Sequence, residues 1–469
     1  MKSLLHPILL LITASLTQAA PNIIYINTDD WGIGKVPSFQ MDPASQSIIK
    51  TPNLDQLKQD GLTFTDAYAG NAVCGPSRCS LITGRHPGNA IWRANRKSAP
   101  EGMWPPKHPV LGEVARAAGY RTAAFGKVSA GGTMTPEEIT ACGWDYWLGF
   151  LGHIDCRDFY ANYIWENGSK IPLPKNTEAI LKGTSLLKGG SGVVGEGKGT
   201  FIEDLYTNKA IEFISQKSDK PFFIYLASTV PHGGPPGGMR VPSLGPYADN
   251  HKLTQHEKVY CALLTAHDRN VGRIRAAVEN LGLAENTIII WTSDNGDEDS
   301  YYKRTKTFDG NGPFKKSKRS LYEGGIRVPM IAYWKGKTPP ASNSPLPTTQ
   351  WDLIPTIADA GKLPKTTDMD GISILPTLAG TPEKQNSRPY LYFEFYENGK
   401  QQSVRKGHWK AYRKGGWNAP IELYNLSNDL AESKNIASQH PEIVAEMATI
   451  MKKEHSPHPV WNLNPKEKK

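Results

Sequence analysis

The sequence predicts an α/β fold, in which a large and mostly parallel sheet is flanked by helices and followed by a smaller C-terminal subdomain with an antiparallel sheet. Two observations carry this prediction. Up to residue 375, apolar runs alternate with segments of helical periodicity, which is typical of a parallel sheet covered by helices on both faces. From residue 376, aromatic-rich runs are separated by Asn-Gly and Gly-Gly turns, which indicate antiparallel hairpins.

The first strand is predicted in PNIIYINTDD, an apolar run that ends in the adjacent carboxylates Asp29 and Asp30. A helix and a short strand are expected next, in TPNLDQLKQDGLTFTDAYAG. The same order returns in VLGEVARAAGYRTAAFGKVS, where the strand ends at Lys127. In YTNKAIEFISQKSDKPFFIYLASTVPH, His232 directly follows the strand.

The last strand of this series, in TIIIWTSDNG, ends in Asp294 and Asn295. Ligands of open parallel sheets bind beyond the carboxyl ends of the strands. A single polar residue at a strand end is ordinary turn chemistry. Four strand ends with polar residues predict a shared site at this edge of the sheet.

We expect the chain of 469 residues to comprise a signal peptide at 1–20, a main domain at 21–375 and a C-terminal subdomain at 376–469. The first segment, MKSLLHPILLLITASLTQAA, has a lysine, an apolar run and a small-residue exit, as cleaved secretory signals do. We therefore expect a secreted or periplasmic protein without a membrane span. The last subdomain is expected to close with an amphipathic helix in HPEIVAEMATIMKKEH.

The net charge of +9 and the isoelectric point near 9.0 favour anionic partners. Because export is expected, a sulfated or otherwise acidic polymer fits this charge better than nucleic acid. A basic surface that serves only solubility is the alternative.

An odd number of cysteines, five, implies that at least one of them has a fate other than a disulfide in an oxidising compartment. A bridge between Cys74 and Cys79 is disfavoured, because two side chains five residues apart at a helix start point in different directions. A bridge between Cys142 and Cys156 stays open, as does the pairing of Cys261.

The carboxylates and the amide at the strand ends offer only oxygen ligands: Asp29, Asp30, Asp294 and Asn295. Oxygen ligands without histidine or thiolate favour a hard cation. Calcium is favoured over magnesium because so many protein oxygens converge. The alternative is that these residues are ordinary loop caps and turns.

The segment CGPSRCSLITGR, which begins at Cys74, resembles the signature of the type I sulfatases of the alkaline phosphatase superfamily. That signature is Cys-x-Pro-Ser-Arg followed by an apolar pair and Thr-Gly-Arg. Other segments resemble the family across nearly the whole mature chain, namely PNIIYINTDDWG, TPNLDQL, AFGK, PFFIYLASTVPH, TSDNG, KRSLYEGGIRVPM and WDLIPTIADAG. The resemblance implies an alkaline-phosphatase-like sulfatase fold, with 21–375 as the catalytic domain, and an arylsulfatase-like enzyme that hydrolyses sulfate esters.

In this family a dedicated maturation enzyme oxidises the signature cysteine to formylglycine, and the hydrated aldehyde is the nucleophile. The resemblance implies that Cys74 has this fate, which would explain the odd cysteine count. It also implies that Cys74 contacts a Ca²⁺ ion bound by Asp29, Asp30, Asp294 and Asn295. The remaining implied roles are stabilisation of the hydrate by Arg78 and binding of the sulfate by Lys127, His232 and Lys318.

One position departs from the common family pattern. Family members commonly read Gly-Lys-Trp-His after the second strand, where the histidine assists release of sulfate. This chain reads GKVSAGG, so that Ser129 stands at that position. An unassisted serine is a poor base, and so either another group such as His232 takes over this step or the step is slow.

The segment GWDYWLGFLGHIDCRDFYANYIWENG is expected to form a loop over the site, where His153, Asp155 and Arg157 would read a sugar. A surface loop of ordinary polarity is the alternative. Its tryptophans could stack on a sugar ring, but packing is the favoured interpretation for Trp144, Trp147 and Trp165. The chain resembles a bacterial branch of the family that acts on sulfated galactose or N-acetylgalactosamine glycans.

Two other functions remain in view. A phosphate or phosphonate monoester hydrolase of the same superfamily would share the metal-ligand positions, although the Cys-Gly-Pro-Ser-Arg segment argues against a dedicated phosphatase. A glycan-binding pseudo-sulfatase is the non-enzymatic alternative, and Ser129 is its only support.

Overall fold

The computed structural model describes residues 20–95, 104–152, 155–177, 192–233, 239–298, 307–364 and 369–463. Its strands are, in chain order, β1 (Asn22–Asp29), β2 (Leu62–Phe64), β3 (Ala67–Tyr68), β4 (Arg121–Gly126), β5 (Tyr146–Gly149), β6 (Tyr163–Glu166), β7 (Ser169–Pro172), β8 (Gly192–Val193), β9 (Phe222–Pro231), β10 (Arg240–Val241), β11 (Thr287–Ser293), β12 (Met330–Trp334), β13 (Ser342–Ser344), β14 (Thr348–Thr349), β15 (Leu391–Phe395), β16 (Gln401–Lys406), β17 (Trp409–Lys414) and β18 (Glu422–Asn425). Its α-helices are α1 (Pro43–Ile48), α2 (Pro52–Asp60), α3 (Cys74–Thr83), α4 (Leu111–Ala117), α5 (Pro136–Ala141), α6 (Ile202–Ile214), α7 (Gln255–Asn280), α8 (Glu323–Ile326), α9 (Leu353–Ala360), α10 (Leu375–Leu378) and α11 (Pro441–Lys453).

A ten-stranded sheet forms the centre, in the order β13-β2-β12-β11-β1-β9-β4-β5-β6-β7. Its central strands β11, β1, β9, β4 and β5 are parallel to one another, and antiparallel pairs lie on both sides of them. The predicted fold class, a large and mostly parallel sheet flanked by helices, is therefore confirmed.

Strand β1 shows why this sheet is buried on both faces. Successive side chains of a strand point to opposite faces. Ile24 and Ile26 accordingly pack in one apolar core, which also contains residues of α2, α6 and α7. Ile23 and Tyr25 pack in a second core, with residues of α3, α4 and α9. Because helices cover both faces of the sheet, the side chains on both faces of β1 are apolar, and the strand shows no alternation of apolar and polar residues.

Helix α7 begins with a capping box, which explains where this long helix starts. The Thr254 hydroxyl accepts a hydrogen bond from the Glu257 N–H (3.2 Å), and the Glu257 carboxylate accepts one from the Thr254 N–H (2.9 Å). Two of the N–H groups at the start of the helix thereby find partners.

The C-terminal subdomain contains the predicted antiparallel meander, in the order β15-β16-β17-β18, and α11 packs on it through Met447 and Met451. It is attached to the main domain through buried ion pairs, among them Lys410 Nζ with Glu323 Oε1 (2.7 Å). The boundary at residue 376 stays a proposal: it falls inside α10, whose Leu378 packs in the second core of the main domain.

All five cysteines lie in the described residues, where all are buried and no two of them form a disulfide. The open question of a Cys142–Cys156 bridge is thereby answered in the negative for this structure. The predicted signal peptide stays a prediction, because residues 1–19 lie outside the described residues. Within the described part of the chain, no helix is long and apolar enough to cross a bilayer.

Candidate functional site

The carboxyl ends of four neighbouring strands meet at one edge of the large sheet, and each delivers residues that the sequence analysis selected. Asp29 ends β1 and Asp30 follows it, Lys127 follows β4, His232 follows β9, and Asp294 and Asn295 follow β11. All six side chains are buried. The structure therefore brings these residues together at one place.

Helix α3 presents Cys74 and Arg78 to this edge. Cys74 is the first residue of the helix, and Arg78 lies one turn further on. Residues four apart lie on the same face of a helix. The unpaired N–H groups of a helix start favour negative charge, so that an anionic group on the Cys74 side chain would be stabilised here.

Arg78 is held between the carboxylates. Its Nη2 atom lies 2.8 Å from Asp294 Oδ2 and 3.7 Å from Asp29 Oδ2. Its Nη1 atom donates a hydrogen bond to the Tyr225 hydroxyl (3.1 Å). Because Arg78 is completely buried, these contacts fix its position within the site.

Asp29 and the following residue, Asp30, each pair with a different lysine. Lys127 Nζ donates to Asp29 Oδ2 (2.5 Å), and Lys318 Nζ donates to both carboxylate oxygens of Asp30 (2.6 and 2.7 Å). His232 Nε2 lies 3.6 Å from Asp30 Oδ2. Asp294 and Arg78 form a third pair of this kind. The site therefore contains three buried carboxylates, each paired with a buried cationic side chain.

Burial and neighbouring charges shift the pKa values in this site in opposite directions. Burial alone would raise the pKa of Asp29, but the cations around it, Lys127 foremost, hold that pKa well below its ordinary value. Burial and the charge of Asp29 raise the pKa of Asp294 to about 7. Burial and the charge of Lys318 lower the pKa of His232 well below its ordinary value.

The donor atoms fit a hard cation. Asp29 Oδ1 and Asn295 Oδ1 are buried oxygens that make no hydrogen bond within the described residues. Candidate ligand atoms of Asp29, Asp30 and His232 lie within 4.8 Å of one another. Asp294 is not part of that group and instead pairs with Arg78, while its Oδ1 atom accepts the Asp30 N–H (3.2 Å). Oxygen-rich sites of this kind suit calcium or magnesium.

The family model described as "Sulfatase" matches residues 21–363 of this chain. The chain belongs to the sulfatase family. It is therefore a sulfuric ester hydrolase, and the resemblance inferred from the Cys74 segment is confirmed at the level of the family. A second model, described as the C-terminal part of N-sulphoglucosamine sulphohydrolase, matches residues 312–456 of this sulfatase.

The similarity to known proteins extends over nearly the whole length of this sulfatase. It is 29% identical to the N-acetylgalactosamine-6-O-sulfatase of Bacteroides thetaiotaomicron, with 92% of each chain covered. It is also 29% identical to arylsulfatase A of Bos taurus, over 94% of this chain and 89% of the relative. Among solved structures, the crystal structure of Ps i-CgsB is similar, with a TM-score of 0.75, 25% identity and 96% of each chain covered.

Of the three residues predicted to bind a sugar, the structure brings Arg157 to the site. Arg157 is partly buried, and its Nε atom makes no hydrogen bond within the described residues. Burial lowers its pKa, whereas the nearby charges of Cys74, Cys156 and Asp29 raise it, with a net increase. Asp155 is exposed beside the Tyr163 hydroxyl, and His153 lies outside the described residues.

The predicted packing of the loop tryptophans is confirmed for two of them. Trp144 and Trp147 are 3% and 1% exposed and lie in the second core. Trp165 is half-buried and packs against the same core.

Sequence reasoning missed Asn95, which contacts Cys74. Its Oδ1 atom accepts a hydrogen bond from the Gly75 N–H (3.0 Å) and lies 4.0 Å from Cys74 Sγ. Asn95 is an exposed residue 21 positions beyond Cys74, and it follows a buried segment, 90–94, that is neither helix nor strand. Only the folded chain brings it to Cys74, so that no local pattern could have revealed it.

Glu203 of α6 was also missed, and it supports the end of strand β9. Its Oε1 atom accepts the Thr229 N–H (2.9 Å), and its Oε2 atom accepts the Ser228 hydroxyl (2.7 Å). These bonds lie where the pairing of β9 with β1 shifts register, just before His232. Burial raises the pKa of Glu203 to about 7, although the two hydrogen bonds oppose this effect.

We expect the pKa of Glu203 to appear in the pH dependence of stability. Since its folded pKa of about 7 exceeds the ordinary value of 4.5, its stabilising contribution is complete below pH 4.5 and is lost as the pH rises through 7. Glu203→Gln should remove this dependence, which amounts to about 3 kcal/mol. Melting temperatures between pH 5 and 8 should therefore fall more steeply for the wild type than for the variant.

The matched control is Glu212→Gln, an exposed glutamate of the same helix that pairs with Lys209. Its melting temperatures should follow the wild type at every pH. Parallel pH profiles for wild type and Glu203→Gln would contradict the prediction.

Proposed function

We propose that this sulfatase is a secreted or periplasmic, formylglycine- and calcium-dependent enzyme that removes sulfate from galactose- or N-acetylgalactosamine-type glycans. One observation carries the proposal. Arg78, Lys127 and Lys318 are buried cations at one edge of the sheet, where they pair with Asp294, Asp29 and Asp30, and Arg78 lies one helical turn from Cys74. Burial alone would lower the pKa of each cation, but the neighbouring negative charges raise it overall, so that all three stay positive and can bind an anionic sulfate ester.

The chain contains residues for both implied groups. Conversion of Cys74 to formylglycine by a maturation enzyme would provide the hydrated aldehyde, which supplies the nucleophilic oxygen. Asp29, Asp30, Asp294 and Asn295 would hold calcium, which supplies positive charge to the nucleophile and to a sulfate oxygen. The unpartnered oxygens of Asp29 and Asn295 support this assignment.

The protein side chains stabilise the charge of the reacting sulfate. Lys127 and Lys318 are positive charges held in a buried site, where they bind sulfate oxygens and stabilise charge that develops on them. His232 lies beside Lys318 and Asp30 and is placed to bind the ester from the side of β9. Arg78, one helical turn from Cys74, stabilises the negative charge of the nucleophile.

The glycan preference is supported by the relatives and by the charge of the chain. A relative from Bacteroides thetaiotaomicron is an N-acetylgalactosamine-6-O-sulfatase, and Ps i-CgsB has been solved in complex with k-i-k-neocarrahexaose. The net charge of +9 favours an anionic polymer as substrate.

The test uses the full mature chain, produced together with a maturation enzyme. We expect it to release sulfate from 4-nitrophenyl sulfate and from N-acetylgalactosamine 6-sulfate or a sulfated galactose. Faster turnover of a phosphonate monoester would favour the related hydrolase activity instead. Binding of the sulfated sugar without turnover would indicate a glycan-binding pseudo-sulfatase.

Ser129 is expected to have a small role in turnover, although it stands where relatives have a histidine. Its hydroxyl is completely buried and makes no hydrogen bond within the described residues, so that nothing there activates it as a base. Ser129→Ala should change kcat less than about tenfold. Lys127→Ala should cost far more, because it removes a fixed charge from the sulfate site.

Steady-state kinetics on 4-nitrophenyl sulfate measure both variants. A general base contributes about 10² to 10⁴ in rate. A loss in that range for Ser129→Ala would show that the serine is itself catalytic and that no other group has replaced the histidine.

A further inference from the structure

The C-terminal subdomain places a carboxylate beside the nucleophile position. Glu397 lies in the turn between β15 and β16. Its Oε1 atom accepts a hydrogen bond from the backbone N–H of Asn95 (2.7 Å). Since the Asn95 side chain contacts both Gly75 N–H and Cys74 Sγ, one residue separates Glu397 from the reacting position. The Glu397 side chain is 27% exposed, so that it remains accessible to a ligand.

Arg319 connects the same carboxylate to Lys318. Its Nε atom lies 3.7 Å from Glu397 Oε2, and its Nη1 atom donates to Glu298 Oε2 (2.6 Å). The backbone of Arg319 has a φ of +70°, a left-handed conformation that residues with a side chain rarely adopt. Its N–H donates to the Ala72 carbonyl (2.8 Å), which helps to hold this conformation.

The two neighbouring basic residues consequently have different surroundings. The side chain of Lys318 is 2% exposed and reaches Asp30, whereas the side chain of Arg319 is 34% exposed. Glu298 and Glu397 both pair with Arg319. The surface around Arg319 is therefore not a cationic one, and Glu397 offers an accessible carboxylate there that accepts hydrogen bonds.

Arg157, which the sequence analysis assigned to substrate binding, carries the opposite charge. Its guanidinium has a buried Nε without a hydrogen-bond partner in the described residues, so that it can donate to an anionic substituent. Beside Glu397 the same substituent would meet a like charge, which is a strong means of rejecting a wrong partner.

We propose that Glu397 is a specificity-determining residue, whose carboxylate accepts hydrogen bonds from neutral sugar hydroxyls close to the scissile sulfate, such as the 4-hydroxyl of N-acetylgalactosamine 6-sulfate. The same carboxylate rejects sugars that carry a second sulfate or a carboxylate at that position. The inference rests on the proposed action on sulfated glycans and narrows it to sugars whose only anionic group on this side is the scissile sulfate.

The experiment compares kcat/KM for three substrates: 4-nitrophenyl sulfate, N-acetylgalactosamine 6-sulfate and N-acetylgalactosamine 4,6-disulfate. Glu397→Gln keeps the shape of the side chain and removes its charge. We expect the preference for the singly over the doubly sulfated sugar to fall at least about tenfold, because the like-charge repulsion is lost. Glu397→Ala should lower kcat/KM for the singly sulfated sugar, relative to kcat/KM for 4-nitrophenyl sulfate, by a similar factor. The loss should lie mainly in KM for the sugar, because its hydrogen bonds to Glu397 are lost.

The matched control is Glu446→Gln, a glutamate of α11 whose carboxylate pairs with Lys406 on the subdomain surface. This variant should keep the wild-type kcat/KM for all three substrates. Equal losses of kcat/KM on all three substrates in the Glu397 variants would show a structural role and overturn the inference. An unchanged preference for the singly over the doubly sulfated sugar in Glu397→Gln would also overturn it. A wild type without turnover of any of the three would overturn the proposed function itself, which is a different result.

Discussion

Replacement of Cys74 by serine is expected to lower turnover of 4-nitrophenyl sulfate at least about 10⁴-fold, a loss typical of removing a catalytic nucleophile. A serine side chain supplies one hydroxyl, whereas the hydrated aldehyde used in this family supplies two. Arg78, Lys127 and Lys318 would remain in place in the variant. If they bind sulfate as proposed, substrate binding is kept while the nucleophile is lost, so that kcat rather than KM should carry the loss.

The fold of the serine variant should stay intact. In the described residues, Cys74 Sγ hydrogen-bonds with the Asn95 side chain, at a long distance of 4.0 Å. A serine side chain is only slightly smaller than a cysteine side chain, so that the substitution leaves little empty volume. The melting temperature should therefore change by no more than a surface substitution would change it.

Two measurements check this prediction. Mass spectrometry of the tryptic peptide that contains Cys74 should show that the thiol is lost in active wild-type protein. The control is Cys79→Ala, five residues further along the same helix, where a fully buried thiol packs in the second core and hydrogen-bonds with Thr83 and the backbone of Ile91 and Trp92. It should cost stability but keep turnover. Fully active protein with an unmodified Cys74 thiol would disprove the assignment.

The strand ends of the site could be predicted because two simple rules coincide. Apolar runs mark buried strands, and the carboxyl ends of parallel strands meet at one edge of the sheet. Asp29 ends β1, and Asp294 follows β11 directly, as the segments predicted. No rule of this kind reaches Lys318, which follows an irregular segment and was found only through the family resemblance.

The remaining part of the site depends on how distant segments dock. Glu397 and Asn95 are 302 residues apart and meet only because the antiparallel subdomain packs beside α3. The Asn-Gly turn that carries Glu397 was predicted, but a turn says nothing about which surface it faces. Glu203 was missed for a related reason, since a glutamate in an amphipathic helix normally faces solvent. Its burial becomes visible only with the register shift at the end of β9.

Removal of divalent cations is expected to abolish turnover and to lower the melting temperature, and added calcium should restore both. Asp29 Oδ1 and Asn295 Oδ1 are buried oxygens without a hydrogen-bond partner in the described residues, and a bound cation would compensate the cost of burying them. A ligand that binds only the folded state stabilises it by about 2.7 kcal/mol at one hundred times its Kd. Calcium should be more effective than magnesium, because several protein oxygens converge here and magnesium retains its waters.

Melting curves and elemental analysis test this prediction without relying on turnover. Asp29→Asn should abolish the increase in melting temperature that calcium produces, because it removes one charged ligand whose Oδ1 atom has no partner in the described residues. The matched control is Asp60→Asn, in which the replaced carboxylate is 31% exposed and pairs with Arg275. That variant should keep the full effect of calcium. Full turnover by protein shown to be free of metal would contradict the prediction, and so would an undiminished effect of calcium on Asp29→Asn.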